Sequence, residues 1–357
     1  MLFIFFCRFY STLNARFLSF SIHNSGVFKE FLDDLIKDGF ASRNDVQTED
    51  GAPPLFSITS KQQQLTMNLD LTEDVNMLVH YEFLGRVLGK AVYESILVEP
   101  QFCLPFLNQL LGKVNTLEDL KNYDEQYYSN LNKLRHYSEE EIDTMELFFE
   151  LTVGGTTPNS KPKTVNLVRS GRSIAVTKKN VFQYTQAVAN ELLNVLGARQ
   201  TQAFLRGFRD LIKVAWVRLF SAKELQKLIS GDDSIRGIDV SSLKKSVQYL
   251  GGYHESQPYI QDFWDILENE LSPEQQRKFL RFMTSCSRQP LLGFSSLEPF
   301  PAIQQIRLQS DELSKNSRLP TSSTCMNLLK LPNYKDRSLL KEKLLAAVES
   351  GAGFELT

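Results

Sequence analysis

The run Arg318-Leu-Pro-Thr-Ser-Ser-Thr-Cys325-Met-Asn-Leu-Leu-Lys-Leu-Pro-Asn-Tyr334 sets four hydroxyl residues, Thr321 to Thr324, directly against a cysteine. The apolar stretch Met326 to Leu331 follows. A hydroxyl-rich run behind Pro320 reads as an exposed loop, and an apolar run between two prolines reads as a short strand. Cys325 therefore stands where a loop becomes a strand, in polar company, although free cysteine is usually buried. That placement suits a nucleophile better than a core residue.

The chain of 357 residues has room for two or three compact units, at roughly 150 residues each. An apolar content of 42% and a charged content of 23% are those of a globular protein, and 25 phenylalanines imply large aromatic cores. A net charge of −2 provides no basic field for nucleic acid or an anionic membrane surface. The cysteines (Cys7, Cys103, Cys286, Cys325) form no C-x-x-C pair, and the histidines (His23, His80, His136, His254) form no H-E-x-x-H or H-x-x-x-H pair. Neither a zinc site, another cofactor nor a disulfide framework is expected, and a reducing interior, cytoplasmic or nuclear, is the expected setting. No stretch reaches the ~18 apolar residues of a membrane span. Arg8, Ser11, Arg16 and Ser19 precede the first acidic residue, Glu30, which is faintly like a mitochondrial presequence. A poorly ordered or mis-assigned start is the plainer reading of residues 1–24.

Helical spacing begins at Val27 and runs through Phe31, Leu32, Leu35 and Ile36 to a stop at Gly39. Residues 41–70 read as a loop with one strand near Leu55 to Ile58. A second helix is expected over 76–98. It contains Gly85-Arg-Val-Leu-Gly89-Lys90, which falls short of a phosphate loop: three residues separate the glycines instead of four, and Ala91 replaces the required Ser or Thr. Helices are expected at 102–111 and 117–134. A hairpin is expected to turn at Ser170-Gly171-Arg172, between Val165/Leu167 and Ile174/Val176. Further helices are expected from Asn180 to Leu193, over 201–218, and from the capping box Ser221-x-x-Glu224 to Gly231. The polar segment Gly231 to Gly237, with glycine at each end, is the hinge candidate. Beyond it come helices at 258–268 and from Ser272-Pro273-Glu274-Gln275, strands at Leu291 to Phe294 and Ile303 to Leu308, the cysteine strand, and a last helix over 338–350.

A thiol at such a junction is inert, or attacks an amide or ester as a hydrolase, or accepts an acyl group from another thioester. Hydrolysis needs a base and oxyanion donors, and His254 is the one histidine beyond the hinge segment. Exchange between thioesters demands less, because reactant and product are equivalent and a thiol near ~8.5 already supplies some thiolate at neutral pH. Arg318 or Lys330 would raise that fraction if either side chain turned toward the sulfur.

Several segments together resemble the HECT family of ubiquitin ligases. In the C-terminal part they are Leu250-Gly-Gly-Tyr253, Phe263-Trp264, Phe282-x-Thr284-x-x-x-Arg288-x-Pro290-Leu-Leu-Gly293, Leu319-Pro320-Thr321-x-x-Thr324-Cys325-Met-Asn327 and Gly353-Phe354. Upstream, Gly26-Val27-Phe28-Lys-Glu30-Phe31 and Phe83-Leu-Gly85-Arg-Val-Leu-Gly89-Lys90-Ala91 are similar to the same family's amino-terminal lobe. The likeness runs from about residue 25 to the end. Met326 to Pro332 and Gly353 to Leu356 look closest to the branch containing the ubiquitin ligase called 3C.

The resemblance implies a bilobed α+β HECT domain. Its parts would be an N-lobe over 25–232, with a conjugating-enzyme-binding subdomain at about 122–195, a hinge at 233–237, and a smaller α/β C-lobe over 238–357. It implies that Cys325 takes ubiquitin from a ubiquitin-conjugating enzyme as a thioester and passes it to lysines of protein substrates. Phe354 and Thr324 would assist transfer. Leu131, Leu134, Tyr137, Phe149 and Tyr184 match the family's apolar docking groove, although each also reads as plain core of a small subdomain. Two departures stand out. Ser323 occupies a position where many members have histidine, and residues 1–24 do not resemble the helix and strand that usually precede Gly26. The second departure leaves a catalytically impaired binding module, with a truncated N-lobe, as the alternative; a cysteine hydrolase is a third reading.

Overall fold

The computed structural model describes residues 25–40, 54–59, 63–71, 74–154, 162–306 and 318–350. They divide into two compact units. One comprises Gly39–Tyr93 and Pro100–Gln226; the other collects the residues up to Asp38, the strap Glu94–Glu99, and everything from Lys227 onward. Helices and small sheets share both, which is the α+β class expected. The chain enters through α1 (Ser25–Gly39), which buries Leu32 and Ile36 one turn apart.

In the first unit the short antiparallel pair β1 (Phe56–Ile58) and β2 (Leu65–Met67) precedes α2 (Leu78–Tyr93). Next come α3 (Leu104–Leu110), α4 (Glu125–Leu134) and α5 (Glu139–Thr144), then the antiparallel β3 (Glu150–Val153) and β4 (Lys163–Asn166). Helix α6 (Val181–Asn190) continues as a π-turn to Val195, and α7 (Ala198–Arg209) and α8 (Val214–Val217) follow; in α9 (Ala222–Ser230) the chain passes from this unit to the other at Gln226. The phenylalanines close the core as the composition requires. Phe40, Phe56, Phe102, Phe106 and Phe204 pack with ring centroids 5.3–6.4 Å apart, mostly edge to face.

The glycines that imitate a phosphate loop have a packing role. A β-carbon built on Gly85 would lie 2.0 Å from the Phe204 carbonyl oxygen, and one built on Gly207 would lie 1.8 Å from that of Glu82. Helices α2 and α7 thus meet backbone to backbone, and only glycine fits. Around the crossing, Arg86 bonds Glu82 and Asp210 at 2.6 Å each.

Several local expectations are corrected. The second helix stops at Tyr93, because Ser95 takes a left-handed φ of +57 and the strap begins. The helix expected at 117–134 is a 3-10 segment, Leu117–Asn122, followed by α4, whose carboxylate cap Asp124 accepts the Tyr127 amide and resets the chain. The helix expected at 201–218 starts at Ala198 and breaks after Arg209, with Lys213 extended before α8. The hairpin is β3 with β4, so Val165 pairs with Leu151; Ser170 to Ser173 is a turn after the hairpin.

In the second unit α10 (Val240–Ser246) leads to β5 (Gln248–Leu250), α11 (Pro258–Asp265) with its π-turn to Glu270, and α12 (Pro273–Thr284). Then come β6 (Ala302–Ile306), β7 (Thr321–Ser323), β8 (Leu328–Pro332) and α13 (Arg337–Ser350). The four strands order as β5-β6-β8-β7, with the first two pairings parallel and the last antiparallel. Phe263, Trp264, Phe279, Leu280, Leu340 and Leu344 bury the sheet residues Ile303, Leu329 and Leu331. The Ser272 capping box forms as read: Ser272 Oγ accepts the Gln275 amide at 3.2 Å, and Gln275 Oε1 accepts the Ser272 amide at 3.0 Å.

Two strand expectations fail here. Leu291 to Phe294 is a turn closed by the Gly293 amide on the Pro290 carbonyl, with Gly293 at φ +83. The hydroxyl run Thr321 to Ser323 is no exposed loop but the half-buried edge strand β7. Pairing decides its state, since Ser322 lies opposite the buried Leu329 while Thr321 and Ser323 lie opposite Lys330 and Leu328.

Candidate functional site

Cys325 sits in one 3-10 turn, Thr324–Met326, that joins β7 to β8. The turn is closed by the Asn327 amide on the Thr324 carbonyl at 3.1 Å, and Asn327 adopts a left-handed φ of +48. The Asn327 carbonyl then accepts the Ala302 amide at 3.0 Å, joining the turn to the first residue of β6. Cys325 is half-buried, and Met326 beside it is exposed.

The far end of the same hairpin is held by three tyrosines. Tyr253 donates to the Leu331 carbonyl at 3.1 Å, Tyr259 to that of Pro332 at 2.6 Å, and Tyr334 to that of Arg318 at 2.5 Å. The Tyr253 and Tyr259 rings stack at 6.0 Å. Burial pushes all three phenols above their ordinary range, which keeps them as donors. Tyr253 and Tyr334 belong to quoted motifs, but no local pattern shows that their hydroxyls reach the base of the cysteine hairpin. Ser322 Oγ is buried, with no hydrogen-bond partner among the described residues.

The other described cysteines differ in kind. Cys103 and Cys286 are fully buried, and desolvation pushes their thiols up to about 11 and about 12. A thiol near 11 is about one part in a thousand ionised at pH 8, and thiolate is the reactive form. Iodoacetamide applied to the native protein at pH 8 is therefore expected to mark Cys325 and to spare Cys103 and Cys286. These two become reactive only as the pH rises toward their shifted values, or on unfolding. Peptide mass spectrometry reads the outcome, and comparable labelling of Cys286 would contradict it.

The remaining candidates fall as follows. His254 is exposed, with Nδ1 2.9 Å from Ser256 Oγ, and among the described residues no hydrogen bond joins a histidine to Cys325. Lys330 stands opposite Thr321, and no described contact brings it or the Arg318 side chain to the sulfur. Thr324 lies in the turn itself; Phe354 lies outside the described residues. Leu131, Leu134, Phe149 and Tyr184 meet in one buried cluster with Ile142 and Val188, and Tyr137 packs half-buried at its edge. Phe149 and Tyr184 are 5.5 Å apart at 78°. The same insert exposes Met145, Phe148, Ile174 and Phe182, and the Arg135 guanidinium lies 4.6 Å over the Phe182 ring. Spacing alone does not tell such outward aromatics from the inward ones.

The hinge candidate has left-handed glycines at both ends, Gly231 at φ +82 and Gly237 at φ +90. Its Asp232 amide donates to the Gln289 carbonyl at 2.7 Å, and Arg277 reaches the Ile235 carbonyl at 3.0 Å. Nearby, the Glu99 carboxylate accepts the amide and hydroxyl of Ser287 at 2.8 and 2.7 Å, while Arg288 donates to the carbonyls of Ser230 and Glu99. Among the described residues no group of three acidic, cysteine or histidine side chains could hold a metal ion, and no helix is long and apolar enough to cross a membrane.

A family model described as HECT-domain (ubiquitin-transferase) matches residues 43–357. The chain is 38% identical over 360 residues to ubiquitin-protein ligase E3B of Homo sapiens, which covers 94% of this chain and 32% of that protein. It is 36% identical to E3 ubiquitin-protein ligase HUL5 of Saccharomyces cerevisiae, covering 98% of this chain and 37% of HUL5. E3 ubiquitin-protein ligase UPL6 of Arabidopsis thaliana is 37% identical, with 94% and 31% covered. The chain spans about a third of the length of these curated relatives.

Proposed function

This chain belongs to the HECT-domain (ubiquitin-transferase) family, and from that premise we propose that it accepts ubiquitin from a conjugating enzyme as a thioester on Cys325 and passes it to lysines of protein substrates. The observation that carries this reading is the half-exposed thiol at the tip of a hairpin pinned from both ends. In the first step the Cys325 thiolate attacks the thioester carbonyl and the conjugating enzyme's thiolate leaves. In the second a neutral lysine amine attacks the carbonyl, the Cys325 thiolate leaves, and the nitrogen gives up one proton to solvent or to the released thiolate as the amide forms. The first step exchanges one thioester for another, so no strong base beside the sulfur is required. That fits Ser323 two residues before the cysteine.

Residues 25–232 would serve as the N-lobe and 238–357 as the C-lobe, with 233–237 between them. The insert bounded by α4, β3, β4 and α6 would receive the conjugating enzyme. With Leu131, Leu134, Phe149 and Tyr184 largely buried, they would act by shaping that surface, and Tyr137 with the exposed Phe148 and Phe182 would touch the partner. Thr324 and Phe354 would assist the transfer step.

The test uses the full chain and a conjugating enzyme already charged with ubiquitin. Within one turnover, a ubiquitin adduct of the chain is expected on a non-reducing gel and is expected to vanish with thiol reductant. No adduct, where binding of the charged enzyme is measurable, would overturn the reading.

A further inference from the structure

The reversal from β7 to β8 has only Thr324, Cys325, Met326 and Asn327 in which to turn. Asn327 is completely buried, yet it is polar and two residues from a half-exposed thiol. Its left-handed backbone does not by itself explain the side chain, because glycine adopts that conformation at less cost. The carboxamide does: Nδ2 donates to the Pro299 carbonyl at 2.7 Å. With the backbone bonds to Thr324 and Ala302, one residue ties the cysteine turn to the segment entering β6. Among the described residues no other hydrogen bond joins residues 324–326 to a different element.

We propose that Asn327 is a positioning residue, whose carboxamide fixes the direction in which the turn presents the Cys325 sulfur to an incoming thioester. The inference rests on the transferase reading. A thioester carried by a docked protein arrives from one direction and cannot follow a sulfur that swings. Misplacement of a reacting atom by about 1 Å can cost about a hundredfold in rate. A small free electrophile approaches from any side and is indifferent to such a swing. The two kinds of reagent therefore separate a directional role from loss of the fold.

The experiment compares the wild-type chain with Asn327→Gly, which accommodates the left-handed backbone and removes the side chain with its carboxamide. A second variant, Asn327→Asp, keeps the shape but turns an acceptor toward the Pro299 carbonyl. Two rates are read: single-turnover loading from charged conjugating enzyme across its concentration range, and iodoacetamide modification of Cys325 at fixed pH. Both variants are expected to lose about 10- to 100-fold in the saturated loading rate. The half-saturating concentration should hold steady, and the iodoacetamide rate should stay within about twofold of wild type. Loading within about twofold of wild type in both variants would overturn the proposal. So would a parallel fall of both rates, the signature of a merely structural residue. If the wild-type chain takes no ubiquitin, the transferase reading fails and this inference falls with it. If the wild type loads and the variants load equally well, only the inference falls.

Discussion

Replacing Cys325 with alanine is expected to eliminate the reductant-sensitive ubiquitin adduct, a loss of at least about a thousandfold that no neighbouring group can offset. The other described thiols are buried and poorly ionised at neutral pH, and the turn's hydroxyl at Thr324 is a far weaker nucleophile than a thiolate. The fold should be unaffected. Cys325 is only half-buried, so the substitution should change stability by no more than about 0.5–1 kcal/mol. Serine gives the sharper result, because an alkoxide acceptor would be acylated slowly and the ester formed would resist thiol reductant. Survival of the reductant-sensitive adduct in Cys325→Ala would place the nucleophile elsewhere; Cys286→Ala should retain it.

The largest stability effect is expected from Gly207→Ala or Gly85→Ala. Two effects oppose each other. Alanine favours a helix over glycine by about 1 kcal/mol, but here its β-carbon would meet a carbonyl oxygen at 1.8 or 2.0 Å. Backbone cannot yield as a flexible side chain can, so α2 and α7 must move apart and open the packing around Phe204. A net loss of about 3 kcal/mol is expected, seen in urea or thermal unfolding as a fall of about 6–12 °C. Gly197 provides the control. Its added carbon would meet Met67 at 3.5 Å, an ordinary contact, and Gly197→Ala should shift the midpoint far less. Equal stability of Gly207→Ala and wild type would mean that the helices do not cross so closely.

What the sequence disclosed was mostly local. The capping boxes at Ser221 and Ser272 form as read, because both partners lie within four residues and the chemistry is complete there. Cys325 was legible from its immediate company. The strand β7 was not, since serine and threonine take an extended state when an edge is offered and a loop state otherwise, and the edge comes from β8. The three-residue strands β2 and β5 left too little periodicity to detect. The role of Gly85 and Gly89 was equally hidden, because the surface they make room for lies more than a hundred residues away on α7. At the site, the Asn327 bond to Pro299 spans 28 positions and the Tyr253 bond to Leu331 spans 78. Local pattern therefore singled out the candidate thiol, and the groups that bond its hairpin appeared only with the fold.

The strap Glu94–Glu99 has a consequence for synthesis on the ribosome. It belongs to the unit completed by the chain from Lys227 onward, and its Val98 is fully buried with its amide on the Ile229 carbonyl. The cysteine-bearing unit is thus discontinuous in the order of translation. At about 5–20 residues per second, Val98 emerges on the order of ten seconds before Ile229, in the last turn of α9, is made. During that interval the Val98 amide lacks the carbonyl that it bonds in the finished fold.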